Sequence, residues 1–231
     1  MIHLTPMFHG FGLAQPGFVG LTFVGGSGFD DILPVPGGAR PGDLILALSA
    51  RTGSDFGGGL GAGWTSIPGL PDGRVRLDVR LLSRTLEQEA QFNLGWASGA
   101  AVQTLLAVRA AALKGIGDIE FRSNEDATTC IAPGVEADGN GREVAVACFF
   151  IRYGSNMTTT PNNDPAGLWM PTGPRSYLSS FPTHEFWISS VLPAGTTPTV
   201  QQEVTLGSTP TTSQTDVARS LGFQILLERP A

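Results

Sequence analysis

The glycine-rich run at 57–62 is the first place where residue types and spacing could support chemistry. By letter it matches a degenerate dinucleotide-binding fingerprint. That fingerprint requires a helix that begins in the loop, so that backbone amides and the helix dipole meet the phosphates. The residues that follow, Gly63, Trp64 and Thr65, are instead typical of a short strand. The sequence therefore predicts a loop tip here, and no cofactor site.

Two acidic groups have oxygen ligands at a spacing that a calcium ion could use. One is Asp30-Asp31, and the other is formed by Glu136, Asp138 and Asn140. In the second group no Glu closes a calcium-binding loop, whereas Asp and Asn each followed by Gly are typical of a tight turn between strands. We therefore predict an Asx-type turn at 138–141 and no metal site.

Nucleophilic chemistry has little support in the sequence. A Ser or Cys nucleophile needs a base within hydrogen-bond reach, and outside the first twenty residues the available histidine is His184, beside Glu185. No nucleophile elbow lies nearby, so the chain is predicted not to be an enzyme. Cys130 and Cys148 occur in apolar contexts and are predicted to be buried thiols, with pairing across neighbouring strands left open.

The charge balance argues against a general nucleic-acid surface. The 231 residues include 20 acidic and 14 basic side chains, for a net charge of −6. The densest basic group is Arg74, Arg76, Arg80 and Arg84. Three of these alternate with apolar residues, which favours the solvated face of a strand over a groove for phosphate or anionic sugar. No nucleic-acid partner and no membrane insertion are predicted.

Short strands separated by Gly, Pro, Asn and Asp turns dominate the rest of the sequence. The segment 100–114 is rich in Ala and could be helical, but its β-branched residues also fit a strand, which we favour. The sequence therefore predicts an all-β fold, an antiparallel β-sandwich of jelly-roll type with about ten strands, in a single domain over 21–231. The predicted strands are 21–24, 44–51, 64–67, 74–86, 92–97, 102–110, 128–131, 143–152, 185–191, 200–206 and 219–228.

Two segments without strand periodicity are the candidates for contacts. Residues 1–20 form an apolar N-terminal arm that packs either on its own domain or on a neighbouring subunit. Residues 154–182 have no regular pattern, and long loops of this kind in compact domains are usually functional or involved in contacts. The candidate contact residues are Phe8, Phe11, Phe18, Trp169, Tyr177 and Phe181.

The order of several short motifs resembles a β-sandwich module of tailed-phage virion proteins. The motifs are the strand 41–47 with its Pro-Gly-Asp start, Gly63-Trp64-Thr65, a strand that ends at Arg84-Thr85, and the strand 105–109. In the second half, 131–133 before 142–146 and the turn 193–197 agree as well. The chain departs from the module at 108–110, where Val-Arg-Ala replaces the usual Tyr-Arg-Gly, and in its N-terminal arm.

The resemblance implies a non-enzymatic virion structural protein of a tailed bacteriophage or a phage-derived particle. Such a protein would decorate the capsid or belong to a spike or the tail, and would be synthesised in the cytoplasm of the bacterial host. Its partners would be copies of itself in a homo-oligomer and other virion proteins. An alternative is a carbohydrate-binding module that uses Trp169 and Tyr177 to adhere to host surface polysaccharide. A glycan-cleaving enzyme would need two carboxylates that face a cleft.

Overall fold

The protein is built from antiparallel β-strands throughout the part that the structure describes. The computed structural model covers residues 18–27, 32–51, 60, 62–67, 75–81, 91–93, 100–109, 112–122, 129–151, 169–171, 183–205, 220–229 and 231. Within these residues there is no helix, and every strand pair is antiparallel. The prediction of an all-β fold is therefore confirmed.

The strands are short and follow one another closely along the chain. They are β1 (Phe18–Ser27), β2 (Ile32–Pro34), β3 (Leu44–Arg51), β4 (Thr65–Ser66), β5 (Val75–Leu81), β6 (Gln91–Asn93), β7 (Ala100–Val108), β8 (Ala112–Ile116), β9 (Glu120–Arg122), β10 (Thr129–Ala132), β11 (Glu143–Ile151), β12 (Trp169–Pro171), β13 (Thr183–Ser189), β14 (Gln202–Thr205) and β15 (Ser220–Glu228).

The described strands form two larger sheets and two small ones. The first sheet has the order β1-β7-β3-β5-β4, and the second has the order β12-β13-β11-β15-β8, with β9 also paired to β15. The small sheets are the pairs β2–β6 and β10–β14. The central strands β3 and β7 of the first sheet come from the first half of the chain, and β11 and β15 of the second sheet come from the second half.

A first hydrophobic cluster joins one face of each large sheet. Leu46 and Leu48 of β3 belong to it together with Val146 of β11 and Phe223 and Ile225 of β15, and all five side chains are fully buried. Phe150 and Phe223 stack with ring centroids 6.0 Å apart. The large aliphatic and aromatic side chains on these faces bury apolar area, which is the main driving force of folding.

The opposite face of each large sheet is also covered. Ile45 and Ala47 of β3 belong to a cluster that includes Leu33 of β2, and Ala145 and Ala147 of β11 belong to another. Residues of β10 and β14 contribute Cys130, Ala132 and Val204 to the latter cluster. Because both faces are buried, β3 and β11 are near-continuous apolar runs rather than alternating ones.

The β10–β14 pair and the residues next to it form a layer that covers the second sheet, and the backbones in this region lie very close together. A Cβ atom built at Gly222 of β15 would overlap the carbonyl oxygen of Ile131 in β10. One built at Gly134 would overlap the carbonyl oxygen of Thr199. Glycine is therefore required at both positions by the proximity of another chain segment.

The buried side chain of Gln224 forms hydrogen bonds between the second sheet and the same covering layer. Gln224 of β15 donates from Nε2 to the carbonyl oxygens of Ala132 (3.1 Å) and Val200 (2.9 Å). Its Oε1 accepts a hydrogen bond from Thr199 Oγ1 at 2.6 Å. Thr199 Oγ1 in turn accepts from the amide of Val135 at 2.8 Å. The side-chain amide of Gln224 is thus hydrogen-bonded through both its nitrogen and its oxygen, as buried polar groups usually are.

Strand boundaries agree with the sequence predictions best in the centres of the sheets. β3 spans the predicted residues, and 100–108 is a strand rather than a helix. β1 begins at Phe18 instead of residue 21, so the strand includes the last residues assigned to the arm. Four strands were not predicted, namely β2, β8, β9 and β12.

Candidate functional site

The turn before β3 is held by a buried carboxylate. Gly42 has a φ of 92°, which favours glycine, and Asp43 beside it is 1% exposed. One oxygen of Asp43 accepts a hydrogen bond from the amide of Arg40 at 2.9 Å, and the other lies 3.1 Å from Nε of Arg109. The ion pair connects the start of β3 to the end of β7, so Asp43 and Arg109 stabilise one end of the first sheet.

Arg80 of β5 is enclosed by aromatic residues and by the turn before β4. Its guanidinium carbon lies 5.1 Å from the ring centroid of Phe92 and 5.9 Å from that of Trp64. The two rings are in an edge-to-face arrangement 5.1 Å apart. Arg80 also donates to the carbonyl oxygen of Ala62 at 3.1 Å, and a Cβ atom at Gly63 would overlap the guanidinium. We call this group the Arg80 cluster.

The prediction of a solvated arginine face on β5 is therefore wrong for the two side chains of that face that the structure describes. Arg80 is half-buried against the rings, with cation–π contacts that add to its hydrogen bond. Asp78, assigned to the same face, is fully buried and accepts a hydrogen bond from Ser66 Oγ. The physical reason is that Trp64 and Phe92, which pack against the cluster on this side of the first sheet, cover the face, and the alternating pattern could not reveal this.

The turn at 138–141 has the predicted Asx conformation. Oδ1 of Asn140 accepts a hydrogen bond from the amide of Arg142 at 2.8 Å, and Gly139 and Gly141 have φ values of 67° and 72°. The buried carboxylate of Glu143 accepts from the amides of Asp138 (3.0 Å) and Gly139 (3.1 Å). This confirms the predicted turn.

Charged side chains cluster beside that turn, where β8, β11 and β15 meet. Glu228 lies 2.8 Å from Arg142 and 3.5 Å from Lys114, and Lys114 lies 2.8 Å from Asp138. The hydrogen bond to Asp138 is the main cause that raises the pKa of Lys114 above its ordinary value of 10.5. Desolvation opposes this effect, and the charges of Asp138 and Glu228 add to it.

The register brings two carboxylates directly opposite each other in this cluster. Glu143 of β11 pairs with Glu228 of β15. The oxygens of Glu143 accept hydrogen bonds from two amides of the turn, and Glu228 is paired with Arg142 and Lys114. In this arrangement both carboxylates stabilise the turn and its ion pairs.

Of the candidate contact residues, the structure describes Phe18 and Trp169. Phe18 is the first residue of β1, opposite Val108 of β7. Trp169 begins β12, a short strand within the segment predicted to be irregular, and its side chain is 7% exposed. It belongs to the cluster that contains Ala145 and Ala147, on the face of the second sheet opposite the first hydrophobic cluster, which we call the outer face. The prediction that Trp169 lies in an irregular loop is therefore wrong, and its ring is buried within its own chain.

Phe8, Phe11, Tyr177 and Phe181 lie outside the described residues, as do the glycine run 57–59 and Asp30-Asp31.

Cys130 and Cys148 are buried thiols and are not joined in a disulfide, and their burial was predicted. Cys130 belongs to the cluster on the outer face of the second sheet, and Cys148 belongs to the cluster between the large sheets. Burial raises the pKa of the Cys148 thiol well above its ordinary value. Both side chains are therefore packing residues of different layers.

The sequence reasoning missed the residues that organise these polar groups. Asp43 and Arg109 are far apart in the sequence, and so are Gln224 and Thr199. No local pattern marks such pairs, although the two motifs that contain Asp43 and Arg109 were singled out. The described residues contain no group of three or more His, Cys, Asp or Glu side chains placed to hold a metal ion. They also contain no helix long and apolar enough to cross a membrane.

Comparison of this chain with family models, curated proteins and solved structures gives no match.

Proposed function

We propose that this protein is a non-enzymatic structural subunit of a tailed-phage virion or a phage-derived particle. In this proposal the two large sheets are the halves of a β-sandwich of jelly-roll type. The subunit acts through contacts with copies of itself and with other particle proteins, as a capsid-decorating, spike or tail-associated component.

The observation that carries the proposal is that motifs of the phage-module resemblance contact one another in the fold. Asp43, from the Pro-Gly-Asp motif, forms an ion pair with Arg109, the last residue of the motif 105–109. Gly63 and Trp64, from the Gly-Trp-Thr motif, lie against Arg80 of β5, the strand that follows this motif. Residues that are separated in the sequence thus form two small structural units at the first sheet.

The motifs of the second half are also neighbours. Ala132, in the motif 131–133, and Ala145, in the motif 142–146, belong to the same buried cluster. Gly195, in the turn 193–197, donates from its amide to the carbonyl oxygen of Gly139, which lies between those two motifs, at 2.9 Å. A module with these motifs in this order would bring them together in the same way. The contacts therefore support the resemblance and, with it, the proposed role.

The polar groups of the described residues fit a scaffold better than a catalytic centre. Asp43, Glu143 and Gln224 are each at most 1% exposed, and each is hydrogen-bonded to backbone. Groups of this kind fix turns and layers. The carbohydrate-binding alternative loses one of its two aromatic residues, because the ring of Trp169 is in the core.

The proposal is tested on particles produced by the host that encodes the chain. Particles are purified on a density gradient, washed at high salt and probed with an antibody raised against the recombinant protein. Particles made with the reading frame interrupted are the matched control. We expect the chain to migrate with intact particles at a constant copy number per particle. A chain that stays in the soluble fraction and is missing from washed particles would overturn the proposal.

A further inference from the structure

The sheet edges of this protein differ in how they are protected from pairing with another chain. An exposed edge is a template for association, and proteins block it with very short strands, Pro, charged side chains or irregularities. Among the described strands, β4 has two residues and β12 has three, ending in Pro171. The other edge of the second sheet is divided between β8, with Lys114, and β9, with Glu120 and Arg122. Three edges therefore carry such features.

The edge formed by β1 is different. β1 is ten residues long, contains no charged residue and no Pro, and pairs along its length with β7. In the described sheet it has a neighbour on one side only. Its irregularity lies at its first residues, between Phe18 and Gly20, and the register from Gly20 to Ser27 is continuous. A continuous, uncharged strand of this length is suited to pairing by main-chain hydrogen bonds.

We propose that β1 is an assembly interface that pairs antiparallel with β1 of a second copy of this chain. This inference deepens the proposed function, since it names the surface by which subunits associate. A second copy fits because an antiparallel pair of identical strands satisfies both edges with one twofold axis. The absence of charge on β1 gives no basis for recognition of a strongly charged partner. Two first sheets would then join into one continuous sheet across the axis.

The position of Thr22 makes it the residue for testing the edge. It lies in the middle of β1, opposite Leu105 of β7, and is half-buried. Its hydroxyl donates to the carbonyl oxygen of Pro34. Near a twofold axis at this position, a substituted side chain would face its own copy. Like charges opposite each other in a strand pair are destabilising.

The first experiment measures the dimer dissociation constant of the full chain by analytical ultracentrifugation. Thr22→Lys introduces the charge, and Thr22→Val is the matched control that removes the hydroxyl without adding charge. Ala112→Lys places the same charge on β8, an edge that already carries Lys114. We expect Thr22→Lys to weaken the dimer about tenfold or more, with the two controls close to wild type. Circular dichroism verifies that each variant is folded.

The second experiment locates the axis by single-cysteine scanning from Gly20 to Val24. The native cysteines are fully buried, so they do not compete for mild oxidation. Residues across an antiparallel pair have Cα atoms about 4.5 to 5.5 Å apart, which is within the range of a disulfide. Cross-linking should be maximal at one position and fall on both sides, and Ala112→Cys should not cross-link.

Two outcomes overturn the inference. One is a chain that remains monomeric up to high concentration, which includes the case in which residues 1–17 cover the edge of their own strand. The other is a dimer that Thr22→Lys leaves unchanged and that gives no cross-link on β1. Either result, with the chain still present on purified particles, rejects this interface and leaves the proposed function standing. If the chain forms the β1 dimer but is missing from particles, the interface is supported and the proposed function is overturned.

Discussion

The replacement Gln224→Met is the sharpest test of how the layers are held together. Methionine has nearly the volume of glutamine but cannot donate to Ala132 and Val200 or accept from Thr199. The carbonyl oxygen of Val200 keeps a second donor, Gln202 Nε2, at 3.4 Å. The main losses therefore fall on the Ala132 carbonyl oxygen, which loses a donor, and on the Thr199 hydroxyl, which loses its acceptor.

The expected cost follows from these two groups. A buried polar group left without its partner costs about 1 to 3 kcal/mol. Because Thr199 Oγ1 still accepts from the amide of Val135, the lower part of this range applies to it. We expect Gln224→Met to lower the free energy of unfolding by about 2 to 4 kcal/mol. For a domain with about 5 to 15 kcal/mol of stability, this is a large fraction.

The assay is equilibrium unfolding in urea, followed by tryptophan fluorescence and by circular dichroism. The urea midpoint should fall by about 1 M, given a slope of about 2 to 3 kcal/mol/M. Gln91→Met is the matched control, because Gln91 is exposed on β6, and its effect should stay within about 0.5 kcal/mol. A double-mutant cycle that combines Gln224→Met with Thr199→Val should give a coupling energy of about 1 kcal/mol between the two side chains.

Two results would refute this reasoning. If Gln224→Met and Gln91→Met have the same effect, the hydrogen bonds of Gln224 contribute nothing net to stability. If the effects of Gln224→Met and Thr199→Val add within about 0.3 kcal/mol, the bond between the two side chains is not a stabilising contact.

Three further predictions concern single residues. Gly222→Ala should lower the free energy of unfolding by about 1 to 3 kcal/mol or more, because the added Cβ would displace β10. Gly115→Ala is the matched control and should be nearly neutral, since there is open space at its Cβ. Equal effects of the two substitutions in urea unfolding would contradict the close approach of β10 to Gly222. The raised pKa of Lys114 means that its pairing with Asp138 stabilises the fold below the unfolded pKa and is lost as the pH rises through the folded pKa. The difference in melting temperature between wild type and Lys114→Met should therefore be present near about pH 8 and shrink as the pH rises through the raised pKa of Lys114, and a difference that does not change with pH would be evidence against the pairing. Cys148, with its burial and raised pKa, should react with a thiol reagent only after unfolding, and labelling of this residue in the native protein would contradict its position.

Much of the fold could be predicted because strand signals are local. The apolar run 44–48 at the start of β3 marked that strand, and the Asp-Gly-Asn-Gly sequence marked the turn before β11. The strands that were missed are short, and their stability depends on the sheets they join. Trp169 illustrates this dependence, since three residues of strand at a sheet edge leave almost no periodic signal.

The candidate contact surface was less predictable than the fold. Aromatic residues in an irregular segment are equally compatible with an exposed platform and with a core position, and only the cluster around Trp169 distinguished them. The arginines of β5 gave a similar ambiguity. Alternation in a sequence reports two faces of a strand but not what lies on each face, so the burial of Asp78 and the enclosure of Arg80 could not be foreseen.

By itself, the sequence determined the strand content, the turns and the low density of charge, because these depend on neighbours within a few residues. The tertiary structure alone decided that both faces of β3 and β11 are covered, that Asp43 meets Arg109, and that Gln224 fastens a layer on the second sheet. These contacts join residues far apart in the chain. Their partners are selected by the packing of whole sheets, which no local pattern encodes.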